Sequence, residues 1–224
     1  MMKKNKIFIA CDSTNILKIK KVIRDTQNTK LKVGYKFGLE FLNSKNGRKF
    51  IFKLKKKIVF GDYKIADIPN TSASAIKAVK DLKLNYITIH ISSGLKALEA
   101  AKKVSGKTKL IGVTILTSLD EKALKEIGFE KSVKELVLHQ ARLASKAKLD
   151  AIVCSPHEIK IVKKVFKKEI ITPGIRLPGD SKGDQKRVMT PKQALKFGAT
   201  ALVMGRSLTG NIKKNIQKLI QELN

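Results

Sequence analysis

The sequence has no tryptophan, only two cysteines and three histidines, and 18 acidic residues against 48 lysines and arginines. Each shortage excludes something. Aromatic residues make up 5% of the chain, so the composition offers few of the stacking platforms that hold single-stranded nucleic acid. Cys11 and Cys154 lie far apart within apolar runs, and neither belongs to a Cys-x-x-Cys pair. That argues against a disulfide framework and a cysteine-based zinc site. His139 and His157 fall in helix-like segments and form no metal-ligand spacing with His90. No apolar run approaches the length of a membrane span. The basic start is followed by an apolar run of residues 7–11 only, broken by Asp12, too short for a signal peptide. The expectation is a cytoplasmic protein with no membrane partner.

What is abundant is lysine. The formal charge of +30 favours anionic partners through long-range attraction. The lysines recur on nearly every helix-like segment rather than gathering in one stripe, which reads as a solvated exterior and not as a specific nucleic-acid surface. At 224 residues and 42% hydrophobic, the chain can bury a sizeable core as a single domain, residues 1–224.

Short β-branched runs alternate with stretches of helical periodicity. Strands are expected at 7–12, 31–35, 58–64, 86–91, 110–116, 151–155, 170–175 and 199–204. Helices are expected at 16–26, 39–55, 72–82, 95–104, 132–147, 158–166, 191–197 and 211–223. Eight such units over this length predict an α/β fold, a (β/α)8 TIM barrel; a doubly wound sheet is the alternative.

The stretch Asp62-Tyr-Lys-Ile-Ala-Asp-Ile-Pro-Asn-Thr71 concentrates the chemistry. Asp62 and Lys64 share one face at the end of a buried strand. Asp67 follows on the strand-to-helix loop, and Thr71 is placed to cap the next helix. Two carboxylates and an amine at a strand mouth are either an internal ion pair or a functional cluster. Active sites of such barrels lie at the C-terminal strand ends, where Asp12, Lys32, His90, Thr117, Ser118, Arg176, Gly205 and Arg206 are also expected. Phosphate is often held by the loops after strands seven and eight. Here those loops carry Arg176, the glycine-rich run through Gly179 and Gly183 to Gln185, and Gly205-Arg206. Arg206 offers a planar fork matched to phosphate oxygens, and Gly205 permits close backbone approach.

The motif from Asp62 to Thr71 is similar to the Asp-x-Lys-x-x-Asp-Ile-Pro-Asn-Thr signature of the orotidine 5'-phosphate decarboxylase family. Supporting pieces occur in the family's order: Ala10-Cys-Asp12, Leu31-Lys32-Val-Gly34, Leu116-Thr117-Ser118, Pro173-Gly-Ile-Arg176, Gly183-Asp-Gln185, Arg187-Val-Met-Thr-Pro191 and Val203-Met-Gly205-Arg206. The resemblance runs nearly end to end. It implies a homodimeric barrel that converts orotidine 5'-phosphate to UMP and carbon dioxide, the last step of de novo UMP synthesis, without metal or organic cofactor. By position, Lys64 is the expected proton donor, with Lys32, Asp62 and Asp67 completing a charge array. Asp67 and Thr71 are expected to serve the partner subunit's site. Asp12 is expected at the ribose, Thr117 and Ser118 near the base, and Arg176, Gln185, Gly205 and Arg206 at the phosphate. One departure is His90-Ile91-Ser92-Ser93-Gly94, where the family has small residues and paired glycines after the histidine. The competing readings are a magnesium-dependent sugar-phosphate relative, such as 3-keto-gulonate-phosphate decarboxylase or hexulose-phosphate synthase, and a basic nucleic-acid-binding protein on a barrel scaffold.

Overall fold

A computed structural model describes residues 5–54, 56–180 and 188–224. Eight parallel strands close into a barrel: β1 Lys6–Ala10, β2 Lys32–Phe37, β3 Ile58–Ile65, β4 Tyr86–His90, β5 Lys109–Val113, β6 Ala151–Val153, β7 Glu169–Thr172 and β8 Ala201–Met204. Closure is direct, since Lys6 to Ile9 of β1 pair with Ala201 to Met204 of β8. The (β/α)8 barrel expected from the alternating runs is what forms.

Two apolar layers follow from the period of two along each strand. Phe8, Phe60, Tyr86, Ile111, Ala151, Ile171 and Ala201 point inward and fill the barrel, with Phe8 edge-on to Phe60 and Tyr86 at 5.1 and 5.2 Å between centroids. Their neighbours Ile7, Ile9, Tyr35, Ile87, Ile89, Ile152 and Ile170 point outward to the helices. Gly34 is forced by this packing: a Cβ there would stand 2.8 Å from the Phe8 ring. At the N-terminal face Glu169 accepts from Lys6 at 2.7 Å and from Lys109, with the Tyr86 hydroxyl in the same network. That plug leaves the C-terminal face as the open one.

The helices are α1 Ile16–Thr26, α2 Leu39–Leu42, α3 Gly47–Lys53, α4 Pro69–Ala78, α5 Leu95–Val104, α6 Glu121–Glu126, α7 Val133–Lys146, α8 Ile159–Val165, α9 Pro191–Phe197, α10 Arg206–Thr209 and α11 Ile212–Leu223. The single helix expected over 39–55 is two. Asn43 Nδ2 donates to the Leu39 carbonyl at 2.8 Å and Ser44 Oγ to that of Phe41 at 2.7 Å, which closes α2 early. The helix expected from 72 begins at Pro69, whose missing N–H costs nothing in a first turn. Thr71 therefore lies inside the first turn and makes no cap; the N-cap is Ile68, with no side-chain bond. The short α6 and α10 were outside the expected set.

Candidate active site

The mouth of the barrel holds a cavity of about 420 Å³, lined among others by Asp12, Lys36, Asp62, Lys64, Thr117, Cys154, Pro173, Gly174, Arg176, Gly205 and Arg206. Its chemistry divides into two ends.

At one end a carboxylate is held between two ammonium groups. Asp62, buried on β3, takes Lys64 Nζ at 2.8 Å and Lys36 Nζ at 3.2 Å on the same oxygen, Oδ2. Lys36 also reaches Asp12 Oδ1 at 3.3 Å. Burial pushes the Asp62 carboxyl up, but Lys36 and then Lys64 outweigh it, so its pKa stays below the usual carboxylate range. Burial pushes Lys36 down, and Asp62 and Asp12 outweigh that in turn, holding its pKa above the usual lysine value. Both directions describe one ionised pair kept charged by its partner. His90 at the end of β4 feels the opposite balance. Burial and the Lys64 charge lower its pKa, with Asp62 opposing, so the imidazole is neutral at pH 7.

The strand carrying Asp62 and Lys64 is not regular. β3 pairs with β4 through Phe60↔Tyr86 and Gly61↔Ile87, then resumes at Ile65↔Ile89. Three residues of β3, Asp62, Tyr63 and Lys64, thus lie against Thr88 alone. Lys64 takes φ of 49°, a left-handed conformation that costs a residue with a Cβ on the order of 1–2 kcal/mol. Its N–H donates to Thr88 Oγ1 at 2.8 Å, and Thr88 Oγ1 donates to Asp62 Oδ1 at 3.1 Å. Sequence reasoning missed Thr88. The signal was present as a single hydroxyl in the apolar run Tyr86-Ile87-Thr88-Ile89, facing inward like Tyr86.

At the other end Arg176, after β7, and Gly205-Arg206, after β8, share the cavity wall. Burial and then the charge of Arg206 lower the Arg176 pKa, with Asp180 opposing. Two guanidinium groups close enough to feel each other suit a doubly charged anion. A Cβ at Gly205 would meet only Ala10 Cβ, at 3.5 Å. The missing side chain there is therefore not demanded by packing and leaves room at the wall.

Of the residues expected from sequence, Asp12, Asp62, Lys64, Thr117, Arg176, Gly205 and Arg206 line this cavity. Lys32 does not. It is exposed at the N-terminal start of β2, opposite Lys6. At about 3.3 Å per residue it lies some four residues, or about 13 Å, behind Lys36 on the same strand face. The place expected for Lys32 in the charge array is taken by Lys36. The sequence offered both, because Lys-x-Gly occurs twice within residues 31–38, as Lys32-Val33-Gly34 and Lys36-Phe37-Gly38. Only the second ends the strand at the mouth, where a Cβ on Gly38 would be 2.8 Å from Asp12 Oδ1. Ser118 is exposed in the turn after β5 and outside the cavity lining. Asp67 and Thr71 are exposed and likewise outside it within one chain; Asp67 Oδ1 accepts from the next residue's N–H, at 2.7 Å. Gln185 lies outside the described residues. Cys11, beneath the site, is a core residue: burial and then the Asp12 charge push its thiol up to about 12.

The profile of the orotidine 5'-phosphate decarboxylase / HUMPS family matches residues 5–216. The chain belongs to this family. Similar members include the orotidine 5'-phosphate decarboxylases of Psychromonas ingrahamii and Prochlorococcus marinus strain MIT 9215. The first is 42% identical over 83% of this chain and 81% of its own length. The second is 39% identical over 94% and 91%. Among solved structures, orotidine 5'-phosphate decarboxylase from Lactobacillus acidophilus superposes with a TM-score of 0.83 at 29% identity, covering 98% of this chain and 99% of its own. The Methanocaldococcus jannaschii orotidine 5'-monophosphate decarboxylase, complexed with the inhibitor BMP, shares the fold at a TM-score of 0.79 and 24% identity over the whole of both chains. Among the described residues of this family member, no helix is long and apolar enough to cross a membrane.

Proposed function

We propose that this cavity binds orotidine 5'-phosphate and releases carbon dioxide to leave UMP, the last step of UMP synthesis, with no metal or organic cofactor. The observation that carries the reading is the Asp62 carboxylate held between Lys64 and Lys36, at one end of a cavity whose other wall carries Arg176 and Arg206.

The bond that breaks joins the ring carbon to the carboxylate, and its electron pair stays on the ring carbon. An ammonium fixed beside that carbon stabilises the charge as it develops, and then supplies the proton that replaces carbon dioxide. Lys64 has that role, and solvent returns its proton. Asp62 orients Lys64 and faces the departing carboxylate; Lys36 holds Asp62 ionised and in place. Asp12 takes the ribose hydroxyls and Thr117 lies by the base. Arg176, Arg206, the Gly205 backbone and Gln185 take the phosphate, whose binding energy orders the site although it is remote from the chemistry. The exposed Asp67 and Thr71 serve the site of a second copy in a homodimer, which accounts for their position outside their own cavity. The 224 residues work as one catalytic domain.

The magnesium-dependent sugar-phosphate members of the family differ from this reading in their need for metal, and the Ile68-Pro69-Asn70-Thr71 continuation favours the nucleotide. The test follows the ultraviolet absorbance of orotidine 5'-phosphate with purified protein in excess chelator. Wild type should deplete the orotate band. Lys64→Ala should lose turnover by about 1,000-fold or more, as expected when a proton donor and its field are both removed, while still binding UMP. Near-normal turnover by that variant overturns the assignment of Lys64.

A further inference from the structure

We infer that Thr88 is a positioning residue for the reaction: its one hydroxyl sets both the orientation of the Asp62 carboxylate and the backbone conformation from which Lys64 projects. The inference rests on the proposed role of Lys64.

The argument begins with the interrupted register. A regular parallel ladder would advance one residue of β3 for each residue of β4. Between Gly61 and Ile65 it does not, because three residues of β3 span the interval that Thr88 alone fills on β4. The strand must bow, and within the bowed segment the Lys64 N–H donates to a side chain, Thr88 Oγ1, at 2.8 Å. The hydroxyl hydrogen is then aimed the other way, onto Asp62 Oδ1 at 3.1 Å. Thr88 is fully buried, and an amide or carboxylate oxygen orphaned beside it would be costly.

The division of labour on Asp62 follows. Its Oδ2 takes both lysines, and its Oδ1 takes Thr88. A carboxylate with ammonium groups on one oxygen only could rotate about its last bond. The third contact fixes that rotation and with it the line along which Lys64 Nζ is held. The same hydroxyl stabilises φ of 49° at Lys64, a backbone setting that aims the side chain differently from an extended strand residue. Loss of the hydroxyl therefore misdirects the proton donor while leaving the arginines, at the far end of the cavity, unchanged.

The experiment compares Thr88→Val, which keeps the shape and removes both hydrogen bonds, with Thr88→Ser, which keeps the hydroxyl. Turnover is expressed per nucleotide-binding site, titrated with UMP, so that a misfolded fraction does not count. Thr88→Val should lower kcat roughly 10- to 100-fold, the equivalent of one or two hydrogen bonds to a charged group, with KM within about 3-fold of wild type. Thr88→Ser should recover kcat to within about 3-fold of wild type. If the valine variant does not fold, Thr88→Cys, near in shape and a poor hydrogen-bonding group, takes its place with the same expected loss. A folded Thr88→Val or Thr88→Cys with kcat per site within 2-fold of wild type overturns the inference, as does an equal loss in Thr88→Ser. Wild-type protein that leaves orotidine 5'-phosphate unchanged overturns the proposed function instead, a result separate from either.

Discussion

Lys32 and Lys36 share a face of β2 but stand at opposite ends of the barrel, so their alanine variants separate a site role from a surface one. Lys36→Ala leaves Asp62 buried with one partner fewer. It should lower kcat/KM about 100-fold or more, the usual scale for removing one member of a buried pair. Lys32→Ala should change it by no more than about 2-fold, as surface substitutions do. Steady-state assays on the two variants check both outcomes. At this scale much of the site was legible in the sequence. Asp62 and Lys64 lie in a specific motif, and Arg176 and Arg206 follow from where barrels bind phosphate. The local motif points to Lys32 because residue type and motif carry no coordinate along the strand. Only the strand's end point, set by the Gly38 approach to Asp12, tells which of two similar lysines reaches the mouth. Thr88 was illegible for another reason: one hydroxyl in an apolar run is common, and its importance comes from the bow of a neighbouring strand.

Elements were legible where periodicity is long and failed where side chains interrupt the backbone. The eight strands and the longer helices α1, α5, α7 and α11 follow from their apolar patterns. The split between α2 and α3 depends on Asn43 and Ser44 bonding to carbonyls that a continuous helix would use, a competition that periodicity does not register. The α4 start moved to Pro69 because proline is pre-set for a first turn, whereas a threonine two residues on looks equally suitable as a cap. The strands also place limits on each other. Gly34 of β2 faces the Phe8 ring of β1, and a methyl group there would overlap it at 2.8 Å. Gly34→Ala should therefore destabilise the protein by about 1–3 kcal/mol, the cost of overpacking a filled core, despite the better strand statistics of alanine. The urea midpoint at pH 7 measures it, and an unchanged midpoint would mean that Phe8 moves aside freely.

The whole molecule is a barrel with a plugged floor and an open mouth, and the two ends answer to pH for related reasons. Burial pushes the Glu169 carboxyl up, but hydrogen bonds from Lys109 and Lys6 outweigh it and leave its pKa below the usual range. Asp62 at the mouth is depressed likewise. A depressed folded-state pKa gives stability that is complete above the unfolded value, about 4.3 for glutamate, and fades as pH falls through the folded one. Glu169→Gln should therefore show a shallower loss of stability than wild type below about pH 4.3, read from urea midpoints, with turnover at pH 7 retained. The excess of lysine, spread over exposed helix surfaces, takes no part in either end. The arginine pair carries a different consequence. Arg176 and Arg206 share one wall of the cavity and the charge of Arg206 weighs on Arg176, so a doubly charged group offsets the two like charges more fully than a singly charged one. A phosphate monoester sheds its second charge near pH 6, while the guanidinium groups keep theirs. Calorimetric affinity for UMP should then weaken between pH 7.5 and 5.5, and affinity for uridine, which has no phosphate, should hold steady: the protein would grip its nucleotide less firmly as the ligand's own charge slackens.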